Sequence, residues 1–175
     1  MTAVPATTVD QSPRFRRIFL GLAAATAIGT ALELASLRHW DGAEQLIPWV
    51  ALAVLAVAIA AQWLRPTPTV TLASRIIGAV CVVSALFGFW EHVQSNYETA
   101  PLDFRYATSW ATMSTASRWW TAASGGVGPS PALAPMILAL SGLCLVFATV
   151  GLPVGRRAGQ EDSAGAPATL AESSS

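Results

Sequence analysis

Four stretches of the chain shed nearly all their polar residues over the length of a membrane crossing: about 18–37, 46–64, 72–90 and 131–152. A hydrocarbon core about 30 Å thick calls for roughly 17–25 such residues. Glu33 is the one charge in the first stretch, Arg75 interrupts the start of the third, and the second and fourth are uncharged. Backbone in lipid must satisfy its own hydrogen bonds, so each stretch is predicted to be helical. The pattern predicts an all-α protein, an integral membrane antiparallel four-helix bundle over 14–154. The polar tails 1–13 and 155–175 cannot bury enough apolar surface to order and are predicted to be disordered.

The connections differ between the two sides. The link 65–71 is short and stiffened by Pro66 and Pro68, and 38–45 is short as well. The segment 91–130 is too long to lack structure of its own. Within it, 104–122 is predicted to form an interfacial amphipathic helix with Asp103 as N-cap. Tyr106, Trp110, Met113 and Trp120 fall on one face, with Arg105, Thr108, Thr112, Thr115 and Arg118 on the other. Gly125-Gly126-Val127-Gly128 then breaks the helix, and Ser130-Pro131 reads as the start of the fourth span. Asp41 and Glu44 have the spacing of a capping box for the second.

Small residues indicate where helices approach closely. Gly21, Ala25 and Gly29 form a four-residue ladder that ends at Glu33, Ser84 and Gly88 lead to His92, and Ser141 is followed by Gly142. The first ladder suits packing within the bundle or a homodimer. Cys81 and Cys144 fall at similar depth and are expected to be small buried apolar residues.

Charge sets the orientation. With the N-terminus inside, seven arginines (14, 16, 17, 65, 75, 156 and 157) are cytoplasmic against three outside (38, 105 and 118), a clear positive-inside bias. Both termini are therefore expected in the cytoplasm. Arg16-Arg17-Ile18-Phe19-Leu20 has the look of a twin-arginine export signal, with Gly29-Thr30-Ala31 as a loose cleavage pattern. Three further apolar spans argue for an uncleaved first helix. The chain has 53% hydrophobic and 11% charged residues, and its ten acidic and ten basic groups cancel. That balance excludes a disordered protein and offers no basic stripe for nucleic acid. All ten basic residues are Arg. With the Ala-rich composition, this points to a GC-rich bacterial genome and hence to the bacterial inner membrane.

Candidate chemistry gathers at the outer face. Glu33, His39, Asp41, Glu44, Glu91, His92, Glu98 and Asp103 are near or above that boundary, as are six of the seven tryptophans, Trp63 excepted. An ionisable residue inside a span is a functional candidate by default, and Glu33 is the one here; the bland alternative is a hydrogen bond from Glu33 to Thr30 or Ser36. Glu33, His39, Glu91 and His92 could supply a nitrogen–oxygen set for Zn, Fe, Mn or Cu, although no established ligand spacing such as H-E-x-x-H is present. No nucleophile elbow, phosphate loop or dinucleotide fingerprint occurs, and no cofactor is expected. The expected function is therefore non-enzymatic: a multi-pass membrane protein whose outward cap engages a partner or lipid surface through Trp110, Trp119 and Trp120. A metal-binding or redox accessory protein is the alternative.

The string Trp90-Glu91-His92 with Asn96 and Glu98, followed by P-A-L-A-P at Pro131 to Pro135, resembles a group of small bacterial multi-pass membrane proteins without assigned activity. That resemblance implies a reused layout over the last two spans and carries no role for any residue.

Overall fold

The computed structural model describes residues 13–154, so 155–175 and all of the N-terminal tail except Pro13, which opens the first helix, lie outside the described residues. Its elements are α1 (Pro13–Ser36), α2 (Ala43–Leu64), α3 (Pro68–Thr99), α4 (Thr115–Ala123) and α5 (Ala134–Phe147). Short 3-10 turns occupy Ala100–Leu102 and Trp110–Thr112, and no strand occurs among the described residues. Three helices, α1, α2 and the continuous α3 with its following turn, are long and apolar enough to cross a membrane.

Each long helix buries a stripe at three- and four-residue spacing. In α1 it is Leu20, Ala23, Ala27 and Thr30; in α3 it is Thr71, Ser74, Gly78, Cys81 and Ala85. The opposite faces carry the large apolar residues, such as Leu22, Ile28 and Leu32 of α1 and Val80, Val83 and Leu86 of α3. Helix α5 is seated between α1 and α3, and α2 packs against both α1 and α3. The crossings of α5 are antiparallel. Gly78 faces Gly142 and Gly88 faces Pro135, while Phe19 meets Phe147 with ring centroids 5.6 Å apart.

Glycine is required where α3 and α5 touch. A Cβ on Gly78 would come within 2.6 Å of the Gly142 carbonyl oxygen, and one on Gly142 within 2.6 Å of that of Gly78. The Ser141 hydroxyl donates to the Ala23 carbonyl at 2.7 Å, tying α5 to α1 through a buried bond. Cys81 and Cys144 are free and buried. The ladder Gly21, Ala25, Gly29 is turned outward and exposed, with open space around both glycines. It therefore does not pack the helices of one chain. The close approach is made instead by Gly78 of α3 and Gly142 of α5.

Several boundaries differ from expectation. The fourth apolar stretch is helical only over Ala134–Phe147, 14 residues, which rise about 21 Å. The Ser130 backbone is engaged by Asn96, and α5 begins three residues later than Ser130-Pro131 suggested, with Pro135 in its first turn. Past Phe147 the chain continues in tight turns, and Arg75 stabilises them. Its Nη2 donates to the carbonyls of Thr149 (2.8 Å) and Leu152 (3.3 Å), and its Nε to Thr149 Oγ1 (3.1 Å). A cation is favourable at that end, where unpaired carbonyls collect. Helix α2 starts after Gly42, which makes no side-chain cap. The residue that reaches back is Gln45, whose Oε1 accepts from the Asp41 N–H at 3.0 Å; the Asp41/Glu44 box does not form.

Candidate functional site

Helix α3 has 32 residues and rises about 48 Å, well past a hydrocarbon core. Its last turns carry a second, smaller core: Val93, Ala100, Trp110, Ala122, Val127 and Ala132. The expected helix over 104–122 is not formed. Asp103 accepts from the Arg105 N–H at 2.9 Å and clasps the Arg105 guanidinium at 2.7 and 3.0 Å. This short-range clasp favours a turn over helix initiation. The Arg105 hydrogen bonds hold the Asp103 carboxyl below the ordinary carboxylate range. Helix proper begins only after Ser114, whose hydroxyl accepts from the Ser117 N–H at 3.2 Å.

The aromatic residues consequently do not share one outward face. Trp110 is 5% exposed and lies edge-on to Tyr97 at 5.4 Å. Trp119 stacks between Tyr97 (4.4 Å) and Trp90 (5.4 Å). Trp120 alone of the three points outward, at 74% exposure. Of the proposed interface residues, Trp110 is thus a core residue and Trp119 a strut between cap and span. Trp120 is the surface residue.

Asn96 fastens this cap. It is 0% exposed; its Nδ2 donates to the carbonyls of Ser130 (2.8 Å) and Ala122 (3.2 Å), and its Oδ1 accepts from the Ser130 N–H (2.9 Å). Gly128 adopts φ +82° directly against Asn96, where a Cβ would collide with the amide. A buried polar residue one to two turns beyond the span was the available signal for Asn96. Its partners lie too far along the chain for spacing to reveal them.

Beneath the cap lies a cavity of about 240 Å³ bounded by the ends of α1 and α3 and the starts of α2 and α5. Glu33, His39 and His92 all line it. Each is positioned by local backbone chemistry. Helix α1 ends in a Schellman motif: the His39 N–H donates to the Leu34 carbonyl at 2.9 Å and the Arg38 N–H to that of Ala35 at 3.1 Å. The motif needs a left-handed residue, and Arg38 supplies it at φ 50°. The His39 carbonyl accepts from Trp49 Nε1 at 2.7 Å, which locks the turn to α2. His92 follows from the continuation of α3 past Trp90. Its Nδ1 is buried and unpartnered among the described residues. Burial and the nearby His39 push the His92 imidazole below its ordinary range, and Glu33 partly opposes them.

Glu91, adjacent to His92, is exposed and takes no part in the cavity; residues about 100° apart on a helix cannot face one point. Among the described residues no group of three or more His, Cys, Asp or Glu side chains gathers closely enough to hold a metal ion. Glu33, His39 and His92 share a chamber without forming a ligand set. Thr30 and Ser36 donate to the backbone carbonyls of Thr26 (3.0 Å) and Glu33 (2.8 Å), so neither of these hydroxyls is spent on the Glu33 carboxylate. The chain matches no protein-family model, no curated protein and no solved structure.

Proposed function

We propose that the chain is a four-span protein of the bacterial inner membrane, both termini cytoplasmic, with a non-enzymatic role exercised by its outward cap. The observation that carries this reading is an inverted distribution of polarity. Six of the ten largest fully buried side chains are polar (Gln62, Asn96, Thr71, Thr149, Ser74 and Ser141), while the large apolar residues exposed along the long helices are chiefly Leu, Ile and Val. Water would reverse that arrangement; lipid favours the apolar exterior, and association there draws on small residues and on interhelical bonds such as that from Ser141 to the Ala23 carbonyl. The stretch 131–152 crosses as the fourth span despite its short helix. Ala132, Ala148 and Thr149 are buried in protein, where irregular backbone at membrane depth is tolerated, and Arg75 satisfies the carbonyls at its inner end.

On the outside, the cap is a folded platform braced to α3, and Trp120, at the exposed side of α4, is its contact point for a membrane-protein partner. Two measurements test this. A reporter active only outside the cytoplasm should be silent when fused after Gly155 and active when inserted after Ser114; activity at Gly155 overturns four spans. A photo-reactive residue at position 120 should yield one discrete protein adduct in intact membranes. Labelling confined to lipid would reduce the cap to a membrane anchor.

A further inference from the structure

We propose that the groove between α1 and α2 seats an acyl chain of an anionic phospholipid, with Arg17 and Arg65 holding its headgroup phosphate. The inference rests on the membrane-spanning reading and concerns the end of the bundle opposite the Glu33 cavity. The groove has a volume of about 430 Å³, walled by Ala24, Ala27 and Ile28 of α1 and by Ala56, Ala60 and Trp63 of α2. It exists because alanines stand where the two helices pass, and side chains of one carbon leave the space between them unfilled. Every residue lining it is apolar, so its occupant is hydrocarbon.

Charge at one end decides what kind of molecule brings that hydrocarbon. Arg17 precedes Ala24 by seven residues and Ile28 by eleven, the spacing of a single helical face. It thus continues the α1 wall of the groove by two turns. Arg65 directly follows Leu64, the last groove residue of α2. Both arginines are exposed, and the one ion pair among the described residues is Arg105–Asp103, so neither is neutralised. All the described acidic residues, Glu33, Asp41, Glu44, Glu91, Glu98 and Asp103, belong to the other end of the bundle or to the cap. A second copy suits this groove poorly. Two-fold symmetry about the membrane normal sets like ends side by side and would bring arginine against arginine. A phosphate instead meets two free guanidiniums, whose planar forks donate to it in pairs. Trp63 is 50% exposed and stands between the groove and Arg65. Tryptophan at that place marks the headgroup level, with the chain on one side of it and the phosphate on the other.

Native mass spectrometry of the purified full chain in detergent can compare dioleoyl phosphatidylglycerol with dioleoyl phosphatidylcholine, which share their chains and differ in net charge. The wild type should retain one phosphatidylglycerol about tenfold more tightly, the order that two arginines yield on one headgroup. Arg17→Gln combined with Arg65→Gln should remove that preference. Arg38→Gln combined with Arg105→Gln subtracts the same charge from exposed positions at the other end and should keep it. Ala60→Phe, which fills the groove from an exposed position, should weaken both lipids. Equal binding of the two lipids by wild type overturns the proposal. So does an equal loss of preference in both double variants, which would show diffuse attraction without a site. Displacement of the lipid by glycerol phosphate at equal concentration would assign the arginines to free phosphate and overturn the role of the groove. Lipid binding is read on purified protein and topology on reporters in cells, so either result can fail without the other.

Discussion

Asn96 and Ser130 exchange two hydrogen bonds across 34 residues of chain, the amide nitrogen donating to the Ser130 carbonyl at 2.8 Å and the amide oxygen accepting from its N–H at 2.9 Å. This pair closes the outer segment onto α3 and delivers Pro131 to the mouth of α5. Asn96→Ala would leave the Ser130 and Ala122 backbone groups buried without partners, a loss of about 3 kcal/mol. Limited proteolysis from the outer side should then cut the segment 100–130 at least tenfold faster while the helical content of the spans is unchanged. Unaltered cleavage would show that the cap does not depend on Asn96.

The glycines of α1 and α3 should behave oppositely. Gly78→Ala forces a Cβ against the Gly142 carbonyl, and overpacking of this kind costs about 1–3 kcal/mol. Gly29→Ala enters open space on an exposed helix face and should be neutral or raise stability by up to about 1 kcal/mol. Thermal midpoints of the two variants in one detergent decide the matter. A destabilised, monomeric Gly29→Ala would reveal a contact that the fold does not contain. A dimer lost in that variant would assign the ladder to a second copy.

Arg38 occupies the left-handed position of a Schellman motif, where a side chain costs roughly 1–2 kcal/mol and glycine is preferred. Arg38→Gly is therefore expected to stabilise the folded chain by about 1 kcal/mol. A fall in the thermal midpoint would mean that the guanidinium makes a contribution exceeding the strain.

His92 lies past the apolar stretch 72–90, and its protonation provides a pH test. Its folded-state value is lowered, so between that value and the ordinary 6.5 the unfolded chain binds more protons than the folded one. Stability is thus complete above about pH 6.5 and declines as pH falls through the window below it. The facing titratable groups are Glu33 on α1 and His39 in the following turn. His39→Gln should move the His92 titration upward and Glu33→Gln should move it downward, as followed by the imidazole proton resonances. Shifts in the reverse directions would separate these side chains from His92.

The Asp103–Arg105 clasp should respond at a lower pH. Asp103 is lowered, so its contribution is present above the ordinary carboxylate range and is lost only as pH falls through the lowered folded value. Asp103→Asn should remove that acid-dependent step from a cap-specific tryptophan fluorescence titration. If the step survives, another carboxylate is responsible.

The sequence by itself determined the helical class and the three long apolar helices, because runs of apolar residues at this length leave the backbone no alternative to satisfying itself. The order of residues along the chain also indicated that polar chemistry collects in one neighbourhood, with Glu33, His39, Glu91 and His92 as its candidate set. Tertiary structure decided what that neighbourhood is. Which face of a membrane helix turns inward is poorly encoded when nearly every position is apolar, so the Gly21 ladder looked like packing and Gly78 did not. The outer segment misled for a different reason. Helical spacing of Tyr106, Trp110, Met113 and Trp120 was real, but the Asp103–Arg105 turn and the burial of Trp110 against Tyr97 overrode it, placing those rings in a core and leaving Trp120 outside. Glu91 and His92 are neighbours in sequence and point to different surroundings, a separation fixed by helix geometry once α3 continues past Trp90. Asn96 exerts its hold through partners 26 and 34 residues away. No local pattern specifies such partners, since only the folded chain brings buried donors and acceptors within reach of one amide.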